Sequence, residues 1–361
     1  MLCICATQRV TPRDDAFLPI HIKDLFKNNE LLRKERPFTM AGLMTKLLLM
    51  AVQKPSKKGK LKVIKWLQKK KLLTSRVLCS RCGQKMKLTR NSKISDGYNW
   101  VCRSKNHRGV KSSRSVRTGS LFEKSKISLP SWLTFIYRFS QGLHLRQIDM
   151  MQDRIARSSK TLSRMAKVLR KICTKAMKEY QKRRRQQMGG QQEFVVIDES
   201  NFRHKRKYGR GRASTTWRRR KWVFGMLGVK HNLRRPILRL VTRRSRNHLI
   251  PIIVKHVRPG TILISDEWRA YRGVLANMGY RHFTVNHSHW FVDPNTGAHS
   301  QHLERAWLSY KTRVWRLRGN RTEKMLKEHL ALIEWTNWLG ERHRRGVLGR
   351  LFRDIYHQFP V

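Results

Sequence analysis

The chain has 361 residues and carries 81 Lys and Arg residues against 22 Asp and Glu residues, a formal net charge of +59. Its hydrophobic fraction of 39% can support packed cores, which excludes a disordered polycation, and its length predicts two or three domains. So large a charge repels itself unless a polyanion neutralises it, and nucleic acid is the expected partner. A membrane surface is the alternative, but basic residues occur in every segment rather than along one amphipathic helix.

The six cysteines do not form a disulfide framework in a chain of this length, and three of them cluster. This pattern favours a reducing compartment and a metal site. No apolar run reaches the roughly 18 residues that a membrane span needs. Residues 1–12 also lack the basic start and the cleavage site of a secretory signal. We therefore expect no membrane partner.

A zinc ribbon is predicted near the start of the chain. Residues 1–60 are a poorly defined lead-in, and residues 61–125 combine a short amphipathic helix, Leu61–Leu73, with four metal-ligand candidates. These candidates are Cys79, Cys82, Cys102 and His107. A C-x-x-C turn offers two thiolates to one tetrahedral Zn²⁺, and the alternating residues between the ligands are typical of strands. The fourth ligand is the weakest, because C-x4-H spacing is only suggestive, and thiols without a metal are the alternative.

Residues 126–180 are predicted to be a helical DNA-binding region. Pro130 can open a first helix, and the segment 144–173 resembles a helix-turn-helix whose second helix is capped by Ser158 or Ser159. The outer face of that helix carries four basic residues, placed to meet phosphates or base edges in a major groove. They are Lys160, Arg164, Lys167 and Lys171. An ordinary basic helix pair packed on the next domain is the alternative interpretation.

The charge run before Gly189-Gly190 predicts a domain boundary, and residues 193–345 form the next domain. Two apolar segments there, VVIDES and ILISDEW, each deliver an Asp at the end of a strand, Asp198 and Asp266. Three strands, a helix and a further strand with the second Asp follow the order of a ribonuclease-H-like α/β fold. In that fold the first and fourth strands are neighbours, which would bring Asp198 and Asp266 together. A helix at Tyr271–Met278 and a tail at residues 346–361 complete this part of the chain.

The third carboxylate should come from a helix that faces these strand ends. Glu304 fits, because Leu303, Trp307, Tyr310 and Val314 form a buried stripe and Glu304 lies on the adjacent face. Glu334 and Glu328 are rivals whose surroundings are more typical of helix packing. Clustered carboxylates repel unless cations lie between them, and their hard oxygens suit Mg²⁺ or Mn²⁺. Two such ions roughly 4 Å apart can drive phosphodiester chemistry.

A strongly basic segment, residues 203–221, leaves the first acidic strand. It brings positive charge to the place where a DNA backbone must approach the metals, through Arg206, Lys207, Arg210 and Arg212. A solvated loop that also serves in nuclear import is a compatible alternative. Four histidines near the third carboxylate match no common ligand spacing, so we expect loop packing or DNA contact from them. They are His287, His289, His299 and His302.

Most of the chain, from about Leu61 to Trp338, resembles the Merlin superfamily of DDE transposases, relatives of bacterial insertion-sequence transposases. The resemblance rests on CSRCGQKM, DGYNWVC, RTGSLFEKSKISL, VVIDESNF, ISDEWRAY and HSQHLERAW. It implies that Asp198, Asp266 and Glu304 are the catalytic acids and that Lys311, seven residues after the glutamate, assists them. The sequence departs from the pattern at RSKNHRG, where the fourth zinc ligand falls.

The resemblance implies cleavage of transposon ends and transfer of the freed 3′-hydroxyl to target DNA. The expected partner is double-stranded DNA, both transposon ends and target, bound by a homo-oligomer. The expected location is the nucleus in a eukaryotic cell or the cytoplasm in a bacterium. A catalytically inactive, transposase-derived, sequence-specific DNA-binding protein is the alternative. A structural protein that coats nucleic acid would explain the charge but not the acids.

Overall fold

A computed structural model describes most of the chain after the lead-in. The described residues are 57–104, 107, 112–143, 145, 148, 155–183, 186–202, 222–286, 299–315 and 322–361. Residues 1–56 of the lead-in, the basic segment 203–221 and the candidates His287 and His289 therefore lie outside the described residues.

The first part is a helix followed by a small three-stranded sheet. The helix α1 (Lys57–Lys69) precedes β1 (Lys87–Arg90), β2 (Tyr98–Cys102) and β3 (Ser112–Ser115), which pair antiparallel in the order β1-β2-β3. The two strands between the metal-ligand candidates are confirmed. β3 has the polar sequence SSRS, whose lack of alternation gave no strand signal.

Two helices connect this sheet to the next one. α2 (Leu129–Ser140) has Pro130 in its first turn, and the hydroxyl of Ser128 accepts a hydrogen bond from the backbone N–H of Ser131. α3 (Ser159–Arg183) is longer than predicted and buries the expected stripe of Leu162, Met165, Leu169 and Ile172. The first helix of the predicted helix-turn-helix falls largely on residues outside the described part of the chain.

The second sheet has five strands in the order β6-β5-β4-β7-β8. They are β4 (Phe194–Ser200), β5 (Trp222–Lys230), β6 (Leu233–Val241), β7 (Ile262–Asp266) and β8 (Arg281–Val285). β4 pairs antiparallel with β5 and parallel with β7, which confirms the expected adjacency of the two Asp-bearing strands. Pro236 is tolerated in β6 because that strand lies at the sheet edge.

Helices cover both faces of this sheet. α4 (Arg246–His256) precedes β7, and α5 (Val274–Asn277) lies between β7 and β8. α6 (Gln301–Trp315) and α7 (Glu323–Trp335) follow, with a π-helical turn at Thr336–Gly340 and a last helix, α8 (Gly346–Gln358). One sheet face packs against α6 and α7, whereas the other joins the core formed by α1, α2, α3 and the small sheet. None of the described helices is long and apolar enough to cross a membrane.

The structure differs from the sequence expectations at two elements. The helix expected at Tyr271–Met278 is only the four-residue α5, because Gly273 before it adopts a φ of +72° that interrupts a helix. The expected tail at 346–361 is instead mostly α8, whose residues Leu348, Leu351 and Ile355 are buried in the first core. Its apolar residues recur at helical spacing, a signal that the flanking arginines obscured.

Candidate active site

The two aspartates lie at matching positions on neighbouring strands. β4 and β7 run parallel, with Val195 opposite Leu263 and Val196 opposite Ile264. Two residues further along each strand are Asp198 and Asp266, at the carboxyl ends. Parallel neighbours are about 4.8 Å apart across a sheet, so the two carboxylates emerge side by side.

Strand alternation places both aspartates on the sheet face that α6 covers. Val196 and Ile264 pack against α6 and α7, and residues two positions later share their face. Glu199 alternates to the opposite face, where the hydroxyl of Tyr271 donates a hydrogen bond to its Oε1. The Asp198-Glu199 pair is thus divided between the two faces, and only the aspartate points toward α6.

The helix α6 carries Glu304, the predicted third acid, and orients the side chain of Asp198. Leu303, Trp307, Tyr310 and Val314 are buried against the sheet, which confirms the predicted stripe. The indole Nε1 of Trp307 donates a hydrogen bond of 2.8 Å to Oδ2 of Asp198, and the backbone N–H of Glu199 donates one of 2.7 Å to Oδ1. Both carboxylate oxygens are therefore oriented by donors.

Gly225 makes room for this arrangement. It lies opposite Asp198 in the β4–β5 register, and a Cβ there would come within 2.4 Å of the Trp307 ring. Any larger residue would displace the ring that holds Asp198, so the close approach requires glycine.

Glu304 lies on the exposed side of α6, beside Asp198. Its Oε1 accepts a 2.6 Å hydrogen bond from the hydroxyl of Ser300. Burial raises the pKa of Asp198, and the charges of Asp266 and Glu304 raise it further. The three acids therefore form one electrostatic cluster. Lys311 lies two turns after Glu304 on the same helix face and is half-buried.

A fourth acidic residue, Glu199, lies on the opposite face of the sheet from this cluster. Glu199 is buried, and burial together with the charges of Asp198 and Asp266 raises its pKa to about 8. Arg244 lies 3.7 Å from its Oε2, and the guanidinium stacks between the rings of Trp222 and Trp268. Trp268 in turn donates from its backbone N–H to Asp266. This network links the ends of the two acidic strands on the face away from α6.

The carboxylate donor set fits divalent cations. Asp198 and Asp266 end neighbouring strands and Glu304 lies on the helix that covers them, and the pKa of Asp198 is raised first by burial and then by the charges of the other two acids. A cation among them would relieve that repulsion, which is the condition under which clustered carboxylates remain ionised. The rivals Glu334 and Glu328 lie elsewhere, since Glu334 is buried in an ion pair with Arg239 and Glu328 pairs with Arg170.

A candidate metal site of a different kind lies beside the three-stranded sheet. The ligand atoms of Cys79, Cys82, Cys102 and His107 all lie within 4.8 Å of one another. The Nε2 of His107 is 3.5 Å from the sulfur of Cys79 and 3.2 Å from that of Cys102. The backbone N–H of Arg81 donates to the Cys79 thiolate and lowers its pKa to about 6, which favours a metal-binding thiolate. Three sulfurs and one imidazole are consistent with structural zinc.

The predicted DNA contacts on α3 are accessible. Lys160, Arg164, Lys167 and Lys171 are all exposed and share one face of the helix. Arg206, Lys207, Arg210 and Arg212 lie outside the described residues. His299 and His302 are in ring contact, and burial lowers the pKa of both. This placement agrees with packing of these two histidines near the start of α6.

Two segments of the chain match known families. Residues 187–335 match the ISXO2-like transposase domain, a match that spans all of the described strands of the second sheet together with α6 and α7. The matches support a DDE transposase. Residues 72–123 match the recombinase zinc beta ribbon domain and include all four candidate zinc ligands. These two similarities do not single out the Merlin superfamily. A comparison with curated proteins gave no match.

The residues that orient the site could not be recognised from the sequence pattern. Trp307 was assigned to the buried stripe, and its hydrogen bond to Asp198 depends on an approach across the sheet. Gly225 gave one usable signal, because a glycine within the apolar strand WVFGMLG indicates a close approach. Arg244 carried none, since one arginine among so many basic residues is not distinctive.

Proposed function

We propose that the chain is a DNA transposase with a ribonuclease-H-like catalytic domain of the Merlin type. The observation that carries the proposal is the equal register of Asp198 and Asp266 on neighbouring parallel strands, facing the helix of Glu304. The match of residues 187–335 to a transposase domain supports the same assignment.

In the proposed reaction, the oxygen of water attacks a phosphorus at the transposon end, the P–O3′ bond breaks, and the leaving oxygen takes up a proton in place of the one that the water loses, which leaves a 3′-hydroxyl. That hydroxyl then attacks a target phosphorus and loses its proton, while the P–O3′ bond of the target breaks and the leaving O3′ takes up a proton. Two Mg²⁺ or Mn²⁺ ions supply activation of the nucleophile and stabilisation of the leaving oxygen. Asp198, Asp266 and Glu304 would hold them, Trp307 orients Asp198, and Lys311 would contact a nearby phosphate.

The DNA in this proposal is double-stranded, both ends and target, and a homo-oligomer binds it. The exposed basic face of α3 reads the ends, and the segment 203–221 contacts the backbone near the metals. Zn²⁺ holds the ribbon together through Cys79, Cys82, Cys102 and His107. In a eukaryotic cell the protein would act in the nucleus, and in a bacterium it would act in the cytoplasm.

A cleavage assay tests the proposal. Labelled transposon-end duplex is incubated with the full chain and Mg²⁺, and the reaction is repeated with EDTA and with the Asp198→Asn and Glu304→Gln variants. We expect strand cleavage only for the unaltered chain with Mg²⁺, and unchanged duplex binding in all samples. Specific binding without any cleavage would instead identify a catalytically inactive DNA-binding protein.

A further inference from the structure

A strongly basic cleft forms where the first and last described helices meet. The end of α1 and the residues from His343 to Tyr356 enclose a cleft of about 500 Å³. Six Lys and Arg side chains line it, namely Lys69, Lys70, Lys71, Arg344, Arg345 and Arg353. No carboxylate is among its lining residues in the described part of the chain.

Aromatic rings join the two walls of this cleft and contact two of its lysine side chains. The rings of Trp66 on α1 and Phe352 on α8 meet edge to face, with their centroids 6.0 Å apart. The ammonium of Lys70 lies 5.7 Å from the Trp66 ring centre, and that of Lys71 lies 5.3 Å from the Tyr356 ring centre. Cation–π contacts restrict both side chains, so the charges are presented from defined positions.

The electrostatics of the cleft favour a polyanion. Cations that line a concave surface focus a positive potential, which raises the local concentration of anions. The pKa of His343 is consistent with a positive potential in the cleft. Burial lowers it, and the neighbouring charges of Arg350, Arg353 and Arg345 lower it further. Six positive side chains in one cleft favour a ligand with several phosphates over one with a single phosphate.

We propose that this cleft binds the phosphate backbone of duplex DNA, as a contact separate from the acidic cluster. The inference rests on the proposed function, which supplies duplex DNA as the polyanion. Both walls of the cleft lie outside the matched segments, since residues 69–71 precede residue 72 and residues 343–356 follow residue 335. Backbone phosphates carry no base identity, so the contact adds affinity without sequence preference.

A charge-matched pair of variants tests the cleft. One variant combines Lys69→Ala, Lys71→Ala and Arg344→Ala inside it, and the control combines Lys62→Ala, Lys65→Ala and Arg90→Ala outside it. All six side chains are exposed, and each variant loses two lysines and one arginine. Binding of the full-length chain to a random-sequence duplex is measured over a range of salt concentrations, after equal thermal stability of the two variants has been verified.

We expect the cleft variant to lose roughly tenfold in affinity and to show a salt slope shallower by about 2–3, because each phosphate contact contributes about 0.9 to that slope. The control should change by less than half as much. Equal losses in both variants would overturn the proposal, since net charge alone would then account for binding. Displacement of the duplex by single-stranded RNA at equal nucleotide concentration would also overturn the proposal, because the cleft would then not prefer duplex DNA.

Cleavage by the same preparations separates this inference from the proposed function. A cleft-specific loss of binding in a chain that never cleaves transposon ends with Mg²⁺ would refute the transposase and support the cleft. Cleavage by a chain whose cleft variant binds like the control would support the transposase and refute the cleft.

Discussion

Asp198 has its orientation set by two donors on opposite sides of its carboxyl group. The indole of Trp307 donates to one oxygen, and the backbone N–H of Glu199 donates to the other. Hydrogen bonds to an ionised carboxylate favour the charged form, whereas burial and the neighbouring acids oppose it. The geometry of this one side chain is therefore fixed before a cation or DNA arrives, which is how rigid metal sites are prepared.

Trp307→Phe should slow DNA cleavage while leaving duplex affinity unchanged. The substitution keeps an aromatic ring over Gly225 but removes the hydrogen bond to Asp198. A hydrogen bond to a charged group contributes about 1.5–3 kcal/mol, so cleavage should fall roughly 10- to 100-fold. Single-turnover cleavage measures the effect. Tyr310→Phe, a buried aromatic on the same helix, is the control, and an equal loss there would indicate general disturbance of α6.

His329 is a buried histidine on α7 without a hydrogen-bond partner for its Nδ1 among the described residues. It is 3% exposed, and burial, assisted by the charge of Arg170, lowers its pKa to about 3. The unfolded chain takes up a proton near pH 6.5, whereas the folded chain stays neutral down to about pH 3. Stability from this residue is therefore present above pH 6.5 and is lost as the pH falls toward 3.

His329→Leu should flatten the pH dependence of the free energy of unfolding below pH 6.5. One such histidine contributes a slope that approaches about 1.4 kcal/mol per pH unit. Urea unfolding at several pH values between 7 and 5 measures it. The same substitution at His357, which is exposed on α8, should leave the slope in place. Parallel curves for the unaltered chain and His329→Leu would show that the buried imidazole does not govern this dependence.

At the scale of elements, the ribbon brings together two ligands from the C-x-x-C turn, one from the end of β2 and one from the residues that follow it. The sheet β1-β2-β3 connects the C-x-x-C turn to Cys102 and His107, and a buried ion pair between Arg117 and Asp96 ties it to the following loop. Small sheets of this size bury little surface, so metal binding supplies much of their folding free energy.

Cys79→Ser should release about one zinc per chain and loosen residues 78–107, while the five-stranded sheet keeps its fold. Elemental analysis and hydrogen exchange measure the two effects. Cys173→Ala is the control, because this thiol is buried in α3, away from the cluster, and its loss should leave zinc bound. Absence of zinc in the unaltered protein, purified without chelators, would end this interpretation.

We expect the basic face of α3 to recognise a specific DNA sequence through contacts with base edges. Lys160→Ala with Arg164→Ala should lower the preference for transposon ends over scrambled duplex, because each lost base contact removes about 1–3 kcal/mol of discrimination. Arg210→Ala with Arg212→Ala should weaken both duplexes alike, as phosphate contacts do. Competition binding at fixed salt measures both ratios. Loss of preference in the second pair alone would place recognition on the segment 203–221.

Element types were predictable from sequence wherever the apolar period was unambiguous. Short apolar runs that end in an Asp identify the strands of Asp198 and Asp266, and helical spacing identifies the buried stripe of α6. The strand β3 was not predictable, because its polar sequence has no hydrophobic contrast, and α5 is shorter than predicted because Gly273 interrupts the helix. The pairing of Trp307 with Asp198 could not be inferred, because it depends on how a helix lies on a sheet more than one hundred residues away in sequence.

At the scale of the whole molecule, the chain combines an acidic cluster with an overwhelmingly basic remainder. The chain has only 22 Asp and Glu residues, and several of them form buried ion pairs, such as that of Glu334 with Arg239. The acids at the ends of β4 and β7 are different, since Asp266, together with Glu304 on α6, adds to the effect of burial in raising the pKa of Asp198. In the proposed function, DNA bound to the basic surface would therefore reach metal ions at a single site, the one formed by these carboxylates.

The most direct test of this account is the metal dependence of cleavage by Asp266→Cys. A thiolate is a poor ligand for Mg²⁺ but accepts softer cations, so a change of ligand at a true metal site changes the preferred metal. We expect no strand cleavage with Mg²⁺ and partial recovery with Mn²⁺, measured on labelled transposon-end duplex, with duplex binding unchanged. Full activity of Asp266→Cys with Mg²⁺ would contradict the assignment of Asp266 as a metal ligand and, with it, the proposed catalytic site.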